Sequence, residues 1–369
     1  MVPDRDRFPM PDDARDRPLS PSTVSVVSVA ILGHSARPPP IARRRGPLLM
    51  RMVEKLVYRR EWPSVDAVLL PGGFFRLRNA IGALSQDDRR SALIATKAAK
   101  LCAEASRVLE AQHPTSMLVV GLDADPVSRK VGGDQLVAAW RAGDVAGLAR
   151  KTFPSDGDTN GKLPPYPVFA ADFASSPRFV SLRSGHRALL LGCYDAFGTR
   201  SVVHSRFADL VAMRLARGRH GGLHEPSLAL RHAFLTRWRT LIRAHPPDLA
   251  LCAIHGFKRP GMDGYWQRHG IAGASAALGG IPVIGAAHFN KALPASVDRS
   301  VLAASSVPLS HLELGPHRPM HALAPDEGFT VADEDGDPVA LIRRFDLALG
   351  ANRQGTYDEH RQSDECARR

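Results

Sequence analysis

The sequence predicts an α/β protein with a layered architecture, in which helices cover the faces of the β-sheet strands. Aliphatic runs of strand length recur along the chain and end at glycine or proline, as buried strands do. Stretches with helical character alternate with these runs. The chain has 369 residues, of which 44% are hydrophobic, so it is long enough to bury a large core.

The first half of the chain alternates predicted strands and helices. Three apolar runs predict strands, at 24–34, 65–73 and 115–125. Two stretches predict helices, at 47–62 and 89–113. The apolar residues of the second helix that follow the helical period are Leu93, Ala98, Leu101, Ala105 and Leu109. Cys102 is expected to be a packing residue of this helix.

The second half continues the alternation. Four apolar runs predict strands, at 186–195, 247–257, 280–290 and 337–347. Helices are expected at 203–217 and 228–243. The segment DEDGDP at 333–338 predicts a hairpin turn, because the glutamate that completes a calcium loop is missing. The composition shows neither a second regime nor a repeat, so a single domain is expected over 23–350.

The two ends of the chain differ in composition from this domain. Residues 1–22 mix acids, arginines and prolines without the apolar core of a secretory signal, which predicts a disordered leader. A polar tail is expected over 351–369. The longest apolar run, 24–32, is about half of the roughly 20 residues that a membrane span needs. The cysteines lie far apart and predict free thiols in the cytoplasm: Cys102, Cys193, Cys252 and Cys366.

The charge and the ligand motifs exclude several classes of partner. The net charge is +12, but no aromatic residues interleave the basic run at 43–45, as a single-strand-binding surface requires. A solvated basic surface is therefore expected, with no nucleic-acid partner. Cys252 and His255 form one pair, which cannot close a zinc site. Neither a phosphate loop nor a dinucleotide fingerprint occurs, so no metal and no cofactor are expected.

Three strand ends carry residues suited to catalysis: LLPGG from 69, ARKTFPSDGD from 149 and LLLGCYDAFG from 189. In this order they resemble the Pro-Glu, lysine turn and Cys-Tyr-Asp of the nitrilase superfamily of carbon–nitrogen hydrolases. Other segments also resemble that family. They include the hairpin at 138–155, which leads into the lysine, and the family's last hairpin, at 335–347. The resemblance covers 24–347 and implies an α-β-β-α sandwich.

The resemblance implies a role for each strand end. Cys193 stands at the family's nucleophile position and Lys151 at its oxyanion-stabilising position, while Tyr194 and Asp195 brace the turn. In the family a glutamate takes the thiol proton, the thiolate attacks an amide or nitrile carbon, and the lysine stabilises the developing oxyanion. Water or another acceptor then resolves the acyl-enzyme.

Gly72 stands where the family carries this glutamate, so the usual base is missing. An unassisted thiol is only a few per cent thiolate at neutral pH, which predicts weak or absent ordinary amidase activity. Gly72 is expected to leave room for the absent carboxylate, and Gly72→Glu should raise thiol reactivity if the backbone accepts a side chain. The family's Arg-Ala-x-x-Asn is replaced by SAALG at 275–279. These departures indicate a divergent member.

His255 is a candidate for a substitute base, because the family lines its pocket with the end of the strand that follows Cys193. The alternative interpretation is a hydrogen-bonded histidine at a strand end. Asp123 and Asp125 are weaker candidates, since short acids after a strand are commonly turn residues.

The predicted function is that of a divergent carbon–nitrogen hydrolase acting on a small amide or nitrile through Cys193 and an acyl-enzyme. One alternative is a catalytically impaired nitrilase-like binding or regulatory scaffold. Another is a class I glutamine amidotransferase or PfpI-like protein, with a nucleophile at Cys102. The resemblance further implies that Gly72, Lys151 and Cys193 converge at one end of the sheets. It also implies a homodimer or larger homo-oligomer.

Overall fold

The computed structural model describes eleven segments of the chain. They are residues 22–32, 41–62, 64–77, 88–124, 134–151, 178–198, 240–257, 261–289, 303–306, 320–333 and 336–349. The chain divides into a large compact unit, Val24–Leu347, and a small unit that combines Met1–Thr23 with Ala348–Arg369. The predicted leader lies outside the described residues except for Ser22, which begins a strand, and the predicted tail lies wholly outside them.

Strands and helices alternate along the described chain. The strands of the first sheet are β1 (Ser22–Leu32), β2 (Ala67–Leu69), β3 (Phe75–Leu77), β4 (Met117–Ala124), β5 (Asp134–Arg141), β6 (Asp144–Arg150), β11 (His288–Phe289), β14 (Glu327–Ala332) and β15 (Pro338–Leu349). Those of the second sheet are β7 (Phe179–Ser181), β8 (Arg187–Gly192), β9 (Leu249–Ala253), β10 (Val283–Ala286), β12 (Ala303–Ser306) and β13 (Met320–Ala322). The α-helices are α1 (Ile41–Val57), α2 (Asp88–Gln112), α3 (Asp195–Gly198), α4 (Met262–Tyr265) and α5 (Ala272–Ala277).

Both sheets are mixed. The first follows the order β14-β15-β1-β2-β4-β5-β6, with β11 beside β1 and β3 beside β4, and the second follows β13-β12-β10-β9-β8-β7. The central pairs, β1/β2, β2/β4, β8/β9 and β9/β10, are parallel. The outer pairs, including β5/β6 and β14/β15, are antiparallel. Parallel central strands are buried on both faces, which explains their continuous aliphatic sequences.

Each sheet has its own layer of helices. In the first sheet, β1, β2 and β4 bury valines and leucines against apolar residues of α1 and α2. In the second sheet, β8 and β9 pack against α3, α5 and the π-helical stretch Trp266–Ile271. The sheets face one another within the large unit, where Ser28 Oγ in β1 donates to Gly285 O in β10 over 2.7 Å. The predicted α/β class and the α-β-β-α layering are thus confirmed.

The predicted strands all recur in the structure, whereas one helix prediction needs correction and two others lie partly or wholly outside the described residues. Helix α2 spans Asp88–Gln112, close to the predicted range, and Cys102 is buried in its core face. Leu101, however, is 41% exposed, because the buried stripe runs through Cys102 and Ala105 instead. Of the predicted helices at 203–217 and 228–243, only residues 240–243 are described, and residues 240–244 are helical.

The hairpin between β14 and β15 closes as predicted for DEDGDP. Asp333 N donates to Asp337 O over 2.8 Å, Asp337 N donates to Asp333 Oδ1 over 2.9 Å, and Gly336 has a φ of 89°. Within the described segments, none of the helices combines the length and the apolar character of a membrane span.

Candidate active site

Strand direction brings five chemically important positions to one end of the large unit. Parallel pairing aligns the carboxyl ends of β2 with β4 and of β8 with β9. Strand β6 runs in the direction of β4, because both pair antiparallel with β5. Positions at the carboxyl ends of these strands are Gly72, Asp123, Lys151, Cys193 and His255. A backbone bond from Gly72 N to Ile254 O, 3.0 Å, joins the ends of the two sheets.

Cys193 lies in a strained turn between β8 and α3. Its φ is 32°, a conformation that residues with a side chain rarely adopt. Its N–H donates to Ala253 O over 2.8 Å, and the Asp195 carboxylate accepts the N–H of Gly192 over 3.0 Å. The turn is therefore held from both sides, and strain that the surrounding structure maintains is characteristic of functional sites.

The strain at position 193 predicts a measurable difference in stability between two variants that lack the thiol. Because glycine adopts positive φ without a steric penalty, Cys193→Gly should have a free energy of unfolding about 1 kcal/mol higher than Cys193→Ala. Urea denaturation of the two variants measures this difference. Equal stabilities, or a more stable alanine variant, would show that the turn is not strained.

The His255 ring forms an ion pair with Asp123 across the two sheets. His255 Nε2 lies 2.7 Å from Asp123 Oδ1, and both side chains are largely buried. Since Asp123 takes Nε2, the other ring nitrogen, Nδ1, is left to interact with the thiol of Cys193. Nδ1 is buried without a hydrogen-bond partner among the described residues, but the His255 and Cys193 side chains are close enough to shift each other's pKa. Cys193, His255 and Asp123 thus follow the arrangement of a nucleophile, a base and an orienting acid.

Glycines provide the room for this ion pair. A Cβ on Gly73, whose φ is +64°, would lie 2.6 Å from Asp123 Oδ2. A Cβ on Gly72 would lie 2.8 Å from both His255 Nδ1 and Ala253 O. The turn after β2 therefore needs two consecutive glycines, because the His255 ring and the Asp123 carboxylate occupy the space of their side chains.

The expectation that Gly72 leaves an empty space for a carboxylate is wrong. The His255 ring stands where the side chain of residue 72 would begin, and the carbonyl of Ala253 closes the other direction. Gly72→Glu would consequently displace the ring. Gly72→Glu is therefore expected to lower the reactivity of the thiol and not to raise it.

Lys151 is a buried neighbour of the cysteine turn. It is 3% exposed, directly after β6, and its Nζ donates to Gln135 Oε1 over 2.7 Å. Its Cβ lies 3.1 Å from the position of a Cβ on Gly192, the residue before Cys193. Its ammonium also lies 5.4 Å from the ring centre of Tyr194. The structure therefore places the Lys151 charge beside the cysteine turn.

A buried ion pair with Arg178 holds Asp195 in the cysteine turn. The Arg178 guanidinium lies 3.7 Å from Asp195 Oδ2, and neither side chain is exposed. Arg178 also donates to the carbonyl of Arg150 over 2.7 Å. Because Arg150 precedes Lys151 and Asp195 follows Cys193, Arg178 ties the backbone of the lysine strand to the cysteine turn.

The surrounding charges favour an ionised thiol. Burial alone raises the pKa of the Cys193 thiol, but the Lys151 charge and the hydrogen bond and charge of His255 lower it below the ordinary 9.0. Burial alone lowers the pKa of His255, but the Asp123 carboxylate and the Cys193 thiol raise it to about 10. Each shift favours the charged form of its group, so the pair moves towards a thiolate beside an imidazolium.

The other described cysteines have the opposite environment. Burial raises the pKa of the Cys102 thiol, which lies in the core face of α2. Burial also raises the pKa of Cys252, in β9, whose Sγ lies 3.7 Å from Cys193 O. Cys102 therefore lacks the features of a nucleophile, and the structure gives no support to the PfpI-like alternative. Cys366 lies outside the described residues.

No group of three or more His, Cys, Asp or Glu residues is arranged to hold a metal ion within the described segments. Cys252 and His255 serve different purposes, since Cys252 packs in the core of the second sheet and His255 pairs with Asp123.

Comparison with known proteins gives structural neighbours only. No family model matches the chain, and no curated protein sequence matches it. The structure is similar to an amidase of the nitrilase superfamily from Nesterenkonia AN1, with 13% identity and a TM-score of 0.42, over 92% of this chain and 96% of that one. A second structure of the amidase from Nesterenkonia sp. AN1, in complex with acrylamide, matches with 13% identity and a TM-score of 0.44, over 92% and 97% of the two chains. A third, an amidase from Nesterenkonia sp., matches with 14% identity and a TM-score of 0.43, over 94% and 98%.

Proposed function

We propose that the protein is a cysteine-dependent acyl-transfer enzyme that hydrolyses the carbon–nitrogen bond of a small amide. The observation that carries this proposal is the alignment of Cys193, His255 and Asp123, with the Lys151 charge beside the thiol. A binding scaffold has no need for a strained cysteine whose thiol pKa is lowered against the effect of burial. The catalytic alternative is therefore favoured over the scaffold.

Acylation begins from the thiolate of Cys193. The thiolate attacks the amide carbon, a carbon–sulfur bond forms, and the carbonyl electron pair moves to oxygen. Because the N–H of Cys193 is bonded to Ala253 O, the charge of Lys151 is the stabilising group for this oxyanion. The electron pair on oxygen then re-forms the carbonyl, the carbon–nitrogen bond breaks, and the departing nitrogen takes a proton from His255. A thioester on Cys193, ammonia or a free amine, and a neutral imidazole result.

Deacylation restores the starting state. The neutral His255 ring takes a proton from water, and the water oxygen attacks the thioester carbon. The carbon–sulfur bond breaks, the carboxylic acid leaves and Cys193 returns as a thiolate beside a protonated His255. Asp123 stays paired with Nε2 of His255 during acylation and deacylation, so that Nδ1 makes each proton transfer.

Intact-mass spectrometry tests the proposal directly. Incubation with short aliphatic amides should produce a mass increase equal to the acyl group on Cys193, and a matched set of nitriles should show whether the site also accepts that bond. Cys252→Ala is the control, because this thiol is buried and has a raised pKa. The proposal fails if no amide acylates Cys193, or if the adduct persists in Cys193→Ala.

Hydrolysis should depend on pH in a direction fixed by the two site groups. The thiolate forms as pH rises through the lowered pKa of Cys193, so activity should rise on the acid side of 9.0. The imidazolium is lost as pH rises through about 10, so activity should fall there. Measuring kcat/KM across this range checks both limbs. A single rise centred above 9.0 would contradict the assignment of both groups.

A further inference from the structure

Gln135 contacts both the backbone and the side chain of Lys151. Its carbonyl oxygen accepts the N–H of Lys151 over 2.8 Å, and its side-chain Oε1 accepts from Lys151 Nζ over 2.7 Å. Gln135 is the second residue of β5, which pairs with the strand that leads into Lys151. Gln135 therefore holds Lys151 by its backbone N–H and by its ammonium group.

The contact is neutral, which matters for the thiol. A carboxylate at this position would accept the same hydrogen bond but would also cancel the charge of Lys151. The amide of Gln135 orients the ammonium and leaves its charge to act on Cys193.

We propose that Gln135 is a positioning residue of the active site, whose neutral amide holds the Lys151 ammonium beside Cys193, where its charge acts on the thiol. The inference rests on the proposed function of Cys193 as a nucleophile. It assigns Gln135 no contact with substrate. Its effect reaches the thiol through Lys151 alone.

Other groups that face the thiol remain unchanged when Gln135 is replaced. They are His255 with Asp123 behind it, and Cys252 with Asp195 nearby. A variant at Gln135 therefore changes the field of Lys151 without removing a group that contacts the sulfur.

The test is the pH profile of iodoacetamide alkylation at Cys193, followed by peptide mass spectrometry on the full chain. Gln135→Glu should move the rising limb of the profile upward by about one pH unit, so that alkylation on that limb slows by about 10-fold, and leave the alkaline plateau unchanged. Gln135→Met, which removes the hydrogen bond without adding charge, should shift the profile in the same direction by a smaller amount. Gln112→Glu, at an exposed site in the last turn of α2, is the charge-matched control and should overlay the native profile.

A double variant separates this route from a general disturbance. In a Lys151→Gln background, Gln135→Glu should have little further effect, because the charge that it neutralises is already absent. The inference is overturned if Gln135→Glu overlays the native profile, or if it shifts the profile equally with and without Lys151. If Cys193 alkylates like an ordinary thiol even in the native protein, the proposed function itself fails, which is a different result.

Discussion

Replacing His255 by alanine is expected to slow the alkylation of Cys193 at neutral pH by about 100-fold. The substitution removes the imidazolium that lowers the thiol pKa by hydrogen bond and by charge. Lys151 remains and retains part of the effect, so the thiol should still react faster than Cys252. Rates of iodoacetamide modification at single cysteines, followed by mass spectrometry, measure the change.

Two further variants show whether the effect belongs to the ion pair. Asp123→Asn should give a smaller loss, about 10-fold, because the ring stays in place without the carboxylate that raises its pKa. His245→Ala should have no effect, since this ring packs on Phe179 with 5.2 Å between ring centres and precedes β9. Equal rates in native, His255→Ala and Asp123→Asn would remove histidine from the mechanism.

Gly121→Ala is expected to cause the largest loss of stability. A Cβ at this position in β4 would lie 2.3 Å from Pro71 O and 2.4 Å from Gly72 Cα. These are backbone atoms of the turn after β2, which cannot rotate away as a side chain could. We expect the free energy of unfolding to fall by about 3 kcal/mol or more, as measured by urea denaturation.

The matched control for this substitution is Gly264→Ala in α4. A Cβ on Gly264 would meet no atom within 4 Å and its φ is not positive, so the change should be neutral or stabilising by up to about 1 kcal/mol. Comparable losses in the two variants would show that Gly121 is not needed for a close approach of backbone. In Gly121→Ala the thiol should also lose reactivity, because the displaced turn borders the His255 ring.

The fold was predictable because its central strands are buried on both faces and therefore have continuous aliphatic sequences. The ranges at 115–125 and 247–257 each contain an observed strand, and the range at 24–34 overlaps β1, which begins two residues earlier. The π-helical stretch at Trp266–Ile271 gave no such signal. The sequence wrongly predicts that Leu101 is buried. Alanine and leucine occur on every side of α2, so the helical period alone does not identify the buried face.

The site was only partly predictable, because its decisive contacts join distant residues. The sequence marks Asp123 only as a weaker candidate for the base, because its partner His255 lies 132 positions away along the chain. Gly72 was interpreted as a vacant base position, since a glycine in sequence does not reveal which atoms fill the space beside it. No motif in the sequence marks Gln135 as a site residue. The pairing of strand 134–141 with strand 144–150 is the signal that could have placed it beside Lys151.

The most direct test of the site is titration of the Cys193 thiolate by ultraviolet absorbance, taken as native protein minus Cys193→Ala. We expect a transition below the ordinary thiol pKa of 9.0. It should move upward in Lys151→Ala, and further upward when His255→Ala is added. A transition at or above 9.0 that is the same in the native protein and in both variants would contradict the thiolate–imidazolium pair, and with it the proposed catalytic role of Cys193.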